Sequence, residues 1–179
     1  LNHTPADAVF ILGDLFEVWV GDDAVEADPS GFEARCARTL LKASTQRAVF
    51  VMHGNRDFLV GDAFATACGV TRLDDPTVLH FADRQWLLSH GDALCLADTD
   101  YLQFRAQVRS DAWQHAFLAQ ALSTRRTTAR ELRARSEAHK RGASHWVDVD
   151  DTEATAWLRS SGAQTLVHGH THRPANHAL

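Results

Sequence analysis

The sequence predicts an α/β domain of layered α-β-α architecture, because short apolar runs alternate with helical stretches and each run ends in a glycine-containing polar turn. The runs are "AVFIL" (Ala8–Leu12), "AVFVM" (Ala48–Met52), "QWLLS" (Gln85–Ser89) and "QTLV" (Gln164–Val167). The turns behind them are Gly13-Asp14, "HGNRD" from His53, "HGD" from His90 and "HGHTH" from His168. Runs of β-branched and aromatic residues without alternation fit strands buried on both faces.

The connecting segments carry helical signals. In "GFEARCARTLLKASTQ" (Gly31–Gln46), Phe32, Cys36, Leu40 and Leu41 fall on one stripe. "DDTEATAWLRSSG" (Asp150–Gly162) offers acidic N-caps, an apolar Trp157/Leu158 face and a glycine stop. Val78 to Leu88 reads as a hairpin with a three-residue turn, Ala82 to Arg84. One segment breaks the alternation: about 98–143 is helical and divides in two. The first part is heavily apolar, with Tyr101, Leu102, Phe104, Val108, Trp113, Phe117, Leu118 and Leu122, and the second, Ser123 to Arg141, is rich in arginine. Two readings stand: a helical hairpin packed on the core with a solvated basic face, or a lid that sets apolar surface beside positive charge, suited to a lipid bearing a phosphate.

Composition narrows the class. A chain of 179 residues suffices for a single domain, 1–179, with a substantial core, and 45% hydrophobic with 23% charged residues is the profile of an ordinary globular protein. No apolar stretch approaches the roughly 18 residues that span a bilayer, and no signal peptide is visible at Leu1. The net charge of -5 argues against a general nucleic-acid binder. Cys36, Cys68 and Cys95 form no C-x-x-C pair, which predicts reduced, structural thiols in the cytosol rather than metal ligands.

The 11 histidines gain meaning from their positions. Strands of an α/β sheet deliver their following loops to one edge, where ligands bind. Here that edge would receive Asp14, Asn55, His90, and His170 with His172. Carboxylate, amide oxygen and imidazole without thiolate suit Mn²⁺, Fe²⁺ or Zn²⁺. In an extended segment His170 and His172 point the same way and reach adjacent metals, while His168, at the strand end, is assigned a structural role or one supporting the ligands. Glycines 13, 54, 91 and 169 would let the backbone approach the ions. Two metals about 3.5–4 Å apart lower the pKa of a water and clamp the oxygens of an in-line phosphoryl displacement. The chemistry inferred is metal-assisted hydrolysis of a phosphoester or phosphoanhydride.

The ordered set G-D, G-N-R-D, H-G-D and G-H-T-H resembles the calcineurin-like metallophosphoesterases. "ILGDLFEVWVGDD", "HGNRDFLVG", "SHGDALCLADTDYLQFR" and "VHGHTHRPA" are more closely similar to the UDP-2,3-diacylglucosamine diphosphatases of lipid A biosynthesis, over nearly the whole chain. The resemblance implies a metallophosphoesterase fold with a helical lid insertion, two Mn²⁺ ions, and a metal-activated water that attacks the α-phosphorus of UDP-2,3-diacylglucosamine. The products would be UMP and 2,3-diacylglucosamine 1-phosphate. It also implies a cytoplasmic enzyme, peripheral on the inner membrane, with no obligate protein partner.

Carried over by motif, Asp14 would bridge the metals, Asn55, His90 and His170 would complete the second metal's shell, and His172 would belong to the first. Asn55, Arg56 and His170 would serve catalysis. Arg56 stands where many relatives have a histidine that protonates the leaving group. An always-charged arginine cannot be that acid, but it can neutralise a phosphate leaving group, which favours a diphosphate substrate. Asp98, Tyr101 and Ser136 match positions that contact substrate, and Lys140 is a candidate for a downstream positive charge. The apolar residues from Leu102 to Leu122 would hold acyl chains, and Arg125, Arg126, Arg130 and Arg133 would meet anionic headgroups.

No D-x-H motif, which supplies two first-metal ligands in that family, occurs in the sequence. The expectation is therefore an internal piece or truncated product with a weakened first-metal site and poor or no turnover by itself. Two rival readings are a nucleotide phosphodiesterase of the same superfamily and a non-catalytic remnant holding a single metal.

Overall fold

The structure, a computed structural model, describes residues 5–142 and 147–178, with side chains described to residue 134 and again from 147. Among these residues six strands form two three-stranded sheets. In the first, β1 (Ala8–Leu12), β2 (Ala48–Met52) and β3 (Thr71–Leu73) run parallel in that order. In the second, β4 (Thr77–Phe81) and β5 (Arg84–Ser89) form an antiparallel hairpin, and β6 (Thr165–His168) adds parallel to β5. The register sets Leu12 beside Met52 and Ser89 beside His168. Within each sheet the turns after these strands thus leave at one level.

The four strands read from apolar runs form within a residue of their expected bounds. Their burial is less uniform: β2 buries most of its residues and β5 its last three, but β1 is half-buried throughout, as befits the edge position in its sheet. The hairpin turn has two residues, not three. Ala82 (φ 53°) and Asp83 (φ 58°) both adopt the left-handed conformation, the type I′ geometry whose twist matches the strands, and Arg84 pairs with Phe81 inside the ladder.

The helices in chain order are α1 (Asp23–Ala27), α2 (Phe32–Ser44), α3 (Asp62–Cys68), α4 (Thr99–Val108), α5 (Asp111–Leu118), α6 (Leu122–Gly142) and α7 (Asp151–Ser161). Helix α2 is where expected but turned: Ala34, Ala37, Leu40 and Ala43 form its buried face, whereas Phe32 and Leu41 are 56% and 45% exposed. Small side chains let the helix lie close to the sheet, which places the bulkier stripe at its margin. Helix α7 has the anticipated cap, Asp150 Oδ1 accepting from Glu153 N at 2.8 Å, and ends at left-handed Gly162.

Helix α3 was not anticipated. Its N-cap glycine provides no side chain, and the free amide donors are met from a distant loop: Asp22 Oδ1 accepts from Gly61 N (2.9 Å) and Oδ2 from Phe64 N (2.8 Å). That contact seats Phe64 against Phe16 and Trp19, with ring centroids 5.5 and 4.8 Å away, at the centre of the core.

The insertion comprises three helices rather than two parts. Ser110 breaks the first part by capping α5, its Oγ accepting from Trp113 N at 3.4 Å. Phe117 belongs to the main core cluster, and Trp113, Leu122 and Ala129 pack against it. Arg125 is not available to a headgroup: it is 3% exposed and bonds to Asp23, the Val20 carbonyl and the Gln120 carbonyl, anchoring α6 to α1. The Arg125 hydrogen bond holds the Asp23 carboxyl below its ordinary range. Arg126 and Arg130 are exposed, and Arg130 folds back on the Arg126 carbonyl. The thiols are free as expected, and burial pushes Cys68 up to about 12 and Cys95 up to about 11.

Replacing the buried guanidinium with R125A is expected to lower unfolding stability by about 2–4 kcal/mol, because it strands carbonyls and an ion-pair partner. R126A, on the exposed face, is expected to change it by no more than about 0.5 kcal/mol. Urea unfolding of the two variants checks the contrast.

Candidate active site

The turns after β1 and β2 cross at very close range. A Cβ on Gly13 would stand 2.6 Å from Gly54 Cα, and a Cβ on Gly54 would stand 2.9 Å from Asp14 Cγ, so neither position admits a side chain. Asp57, only 1% exposed, fixes the crossing. Its carboxylate accepts from Gly54 N (2.7 Å), Asp14 N (3.2 Å) and Phe16 N (3.3 Å). Asp14 is thereby held at φ 52°, a conformation costly for a residue with a Cβ, with Oδ1 accepting from Arg56 N at 3.0 Å.

His90 joins the second sheet to the first. Its Nδ1 lies 2.8 Å from the Leu12 carbonyl, which has no proton, so Nδ1 carries the ring proton and donates. In the neutral ring Nε2 is then a lone pair. It points to two other acceptors, Asn55 Oδ1 at 3.1 Å and Asp14 Oδ1 at 3.8 Å. Asn55 Oδ1 is also 3.1 Å from His170 Nδ1. Asp14, Asn55, His90 and His170, far apart in sequence, are thus brought into one group.

This donor set fits a divalent cation. Lone pairs of a carboxylate, an amide and, in the neutral ring, an imidazole converge here, and a hard or borderline ion satisfies all three. Burial raises the Asp14 carboxyl above its ordinary range, with Asp57 adding to the rise, while His90 and the Arg56 amide oppose it. Such a carboxylate is one that a cation stabilises. Among the described residues no three His, Cys, Asp or Glu side chains form a metal cage by themselves, so the convergence needs the Asn55 amide.

His172 does not enter the group. His170 (φ 67°) and His172 (φ 55°) are both left-handed, so the segment is not extended and the alternation argument fails for it. His172 is exposed, and no hydrogen bond or ion pair joins it to Asp14. His168 ends β6 with Nδ1 3.0 Å from the Gly169 carbonyl. Of the four glycines, Gly13 and Gly91 have positive φ, while Gly54 and Gly169 do not.

A cavity of about 370 Å³ opens beside the group. Asn55, Arg56 and His170 line it, as do the charged residues Glu17, Asp98, Asp100 and Arg133. Phe58, Leu59, Phe104, Trp113, Phe117 and Leu132 line its body, so the insertion supplies an apolar wall next to the cluster. Of the apolar stripe assigned to acyl chains, Phe104, Trp113 and Phe117 face this space, whereas Val108 is buried and Leu118 is exposed. Arg56 Nε stands 3.7 Å from Asp14, and its Nη1 bonds Glu17 at 3.0 Å. Glu17 also pairs with Arg133 Nη2 of α6 at 2.9 Å.

Asp98 lines the cavity while capping α4, with Oδ1 accepting from Tyr101 N at 3.1 Å. Tyr101 presents its ring to His170, centroids 5.9 Å apart, but its hydroxyl donates to Asp92. Burial and the Asp92 charge push the Tyr101 hydroxyl far up, so it stays protonated. The side chains of Ser136 and Lys140 lie outside the described residues. Sequence reasoning missed Asp57 and Asp92, although both stand inside the quoted "HGNRD" and "HGD" turns, and it missed Glu17. The signal was an acid at the end of each turn with no role assigned to it.

The calcineurin-like phosphoesterase family matches residues 1–174 of the chain. The chain is 44% identical over 179 residues to the UDP-2,3-diacylglucosamine hydrolase of Cellvibrio japonicus, covering 99% of this chain and 72% of that protein. It is 46% identical over 172 residues to the Chromobacterium violaceum protein of the same name, covering 95% and 71% respectively. The Pseudomonas aeruginosa protein of that name is 42% identical over 176 residues, covering 97% and 72%.

N55A and D14N are each expected to weaken binding of Mn²⁺ by about 10–100-fold, by analogy with losses at metal-site supports. Titration calorimetry on metal-stripped protein checks this, and unchanged affinity in both would remove the group as a cation site.

Proposed function

From the premise that this chain belongs to the calcineurin-like phosphoesterase family, we propose that it hydrolyses the diphosphate of UDP-2,3-diacylglucosamine to UMP and 2,3-diacylglucosamine 1-phosphate. The observation that carries this reading is the cavity, in which an apolar wall from the insertion shares one space with Asn55, Arg56 and His170. A nucleotide ester without acyl chains would leave that wall of Phe104, Trp113, Phe117 and Leu132 unused. The curated relatives reported above, named UDP-2,3-diacylglucosamine hydrolases, support the same substrate.

Asp14, Asn55, His90 and His170 would hold the metal, which we take to be Mn²⁺, and a pair of ions would bring in His172. When bound, the metal supplies positive charge to the phosphate oxygens and an activated water. The water oxygen would bond to the α-phosphorus, giving up its proton to solvent, as the bond from that phosphorus to the bridging oxygen breaks. UMP leaves with the water oxygen, and the sugar phosphate leaves with the bridging oxygen. Arg56, beside Asp14, neutralises the departing phosphate, which needs no proton at neutral pH. His90, held by the Leu12 carbonyl, keeps Nε2 aimed at the reacting side. Asp98 and Tyr101 border the sugar, and Ser136 and Lys140 of α6 belong to the same reading. With a lipid substrate, the same reading has the protein work as a peripheral enzyme at the cytoplasmic face of the inner membrane. Among the described residues no helix is long and apolar enough to cross a membrane.

Purified protein with Mn²⁺ is expected to release UMP from the lipid substrate, and EDTA to abolish the release. L132W, which fills the apolar body, is expected to raise KM for that substrate about tenfold, or about 1.4 kcal/mol, with kcat changed less than about twofold. Turnover of nucleotide esters in preference to the lipid would favour the phosphodiesterase reading, and hydrolysis of neither the non-catalytic one.

A further inference from the structure

Helix α4 is joined to the loops of the cluster by a buried ionic network that the reading above does not use. Asp92 is fully buried, two residues beyond His90. Its Oδ2 accepts from the Tyr101 hydroxyl and from Arg105 Nε at 2.9 Å, and Arg109 Nη2 stands 3.6 Å away. Tyr101 and Arg105 belong to α4, and Arg109 is the residue that ends it. The same arginines reach the neighbouring turns. Arg109 Nη2 donates to the Gly54 carbonyl at 3.0 Å, adjacent to Asn55. Arg105 Nη2 lies 3.7 Å from Asp75, whose Oδ1 accepts from Ser89 Oγ (2.7 Å) and His90 N (3.1 Å). One helix of the insertion is therefore tied to the loops of His90 and Asn55 at several separate points.

We propose that Asp92 and Arg105 are a positioning pair that sets the apolar wall of the cavity at a fixed distance from the cluster. Neither lines the cavity, but their neighbours do: Phe104 precedes Arg105 on α4, and the Tyr101 ring covers His170. A substrate with acyl chains and a diphosphate must engage both ends at once, so a small shift of α4 misaligns one end when the other is seated. Because Asp92 is fully buried, removing Arg105 leaves its charge short of a partner and moves the helix, whereas removing both charges leaves less to move it. Asp92 Oδ1 is a buried oxygen without a hydrogen-bond partner, so the carboxylate is already short of donors and depends on Arg105.

The proposal rests on the reading of this cavity as the acyl-chain site. Its test is the affinity of metal-free protein for 2,3-diacylglucosamine 1-phosphate, measured by titration calorimetry on the unaltered chain and on R105Q, R105K, D92N and D92N/R105Q. R105Q is expected to weaken binding about tenfold, R105K to stay within about threefold of the parent, and the double variant to bind no more weakly than its worse single variant. R105Q, altering a residue 23% exposed, keeps the test alive should D92N fail to fold. Binding by R105Q within about threefold of the parent, or a double variant that loses the product of the two single losses, overturns the proposal. An unaltered chain with no affinity for the lipid overturns the cavity reading itself, and this inference with it.

Discussion

The hydrogen bond from His90 Nδ1 to the Leu12 carbonyl is the contact on which the site depends. It joins the end of a strand in one sheet to the turn after a strand in the other. It also fixes the tautomer of the neutral ring: with the Nδ1 proton committed to a carbonyl, the Nε2 of that tautomer faces Asn55 and Asp14 as a lone pair. Strand register does the rest. Because Leu12 sits beside Met52 and Ser89 beside His168, this bond, together with the Asn55 contacts to His90 and His170, brings the four turns together.

The geometry so obtained is strained, and the strain has visible supports. Asp14 and His170 both sit at positive φ, each at a cost of about 1–3 kcal/mol. Asp57 offsets part of this by accepting three backbone amides, and the mutual crossing of Gly13 and Gly54 leaves the chain no room to relax. A turn built only to reverse the chain would not need a buried acid and two glycines in contact. The expense is intelligible if the turns exist to point lone pairs at one place.

Much of this was legible in the sequence because it is local. Unalternated apolar runs gave the strands, and Asp150 and Gly162 bounded α7. The recurrence of Asp, Asn and His after successive strands predicted the meeting of Asp14, Asn55, His90 and His170. What escaped is long-range. Helix α3 takes its amide acceptors from Asp22, about forty residues earlier, and so shows no cap of its own. The rotation of α2 follows from close packing of alanines, which a count of large residues misjudges. Arg125 looked like one member of a basic face until its partner, Asp23, was located across the fold. The parity of His170 and His172 assumed an extended backbone that the left-handed conformations do not provide.

The arginines also show how a chain of net charge -5 can suit an anionic substrate. Total charge is irrelevant at the distances involved, since exposed charges are screened beyond about 8 Å at physiological ionic strength. What matters is which cations face the cavity. Arg125 is committed to Asp23 and Arg105 to Asp92, so neither offers charge to a ligand. Arg56 and Arg133 line the cavity, and both are bridged by Glu17, whose side chain is 71% exposed. An exposed carboxylate spanning two arginines is a weak partner, one that a phosphate with more charge and more oxygens can displace. Positive charge in this protein is thus divided by position: Arg105 and Arg125 hold helices, while Arg56 and Arg133 face the cavity beside the cluster.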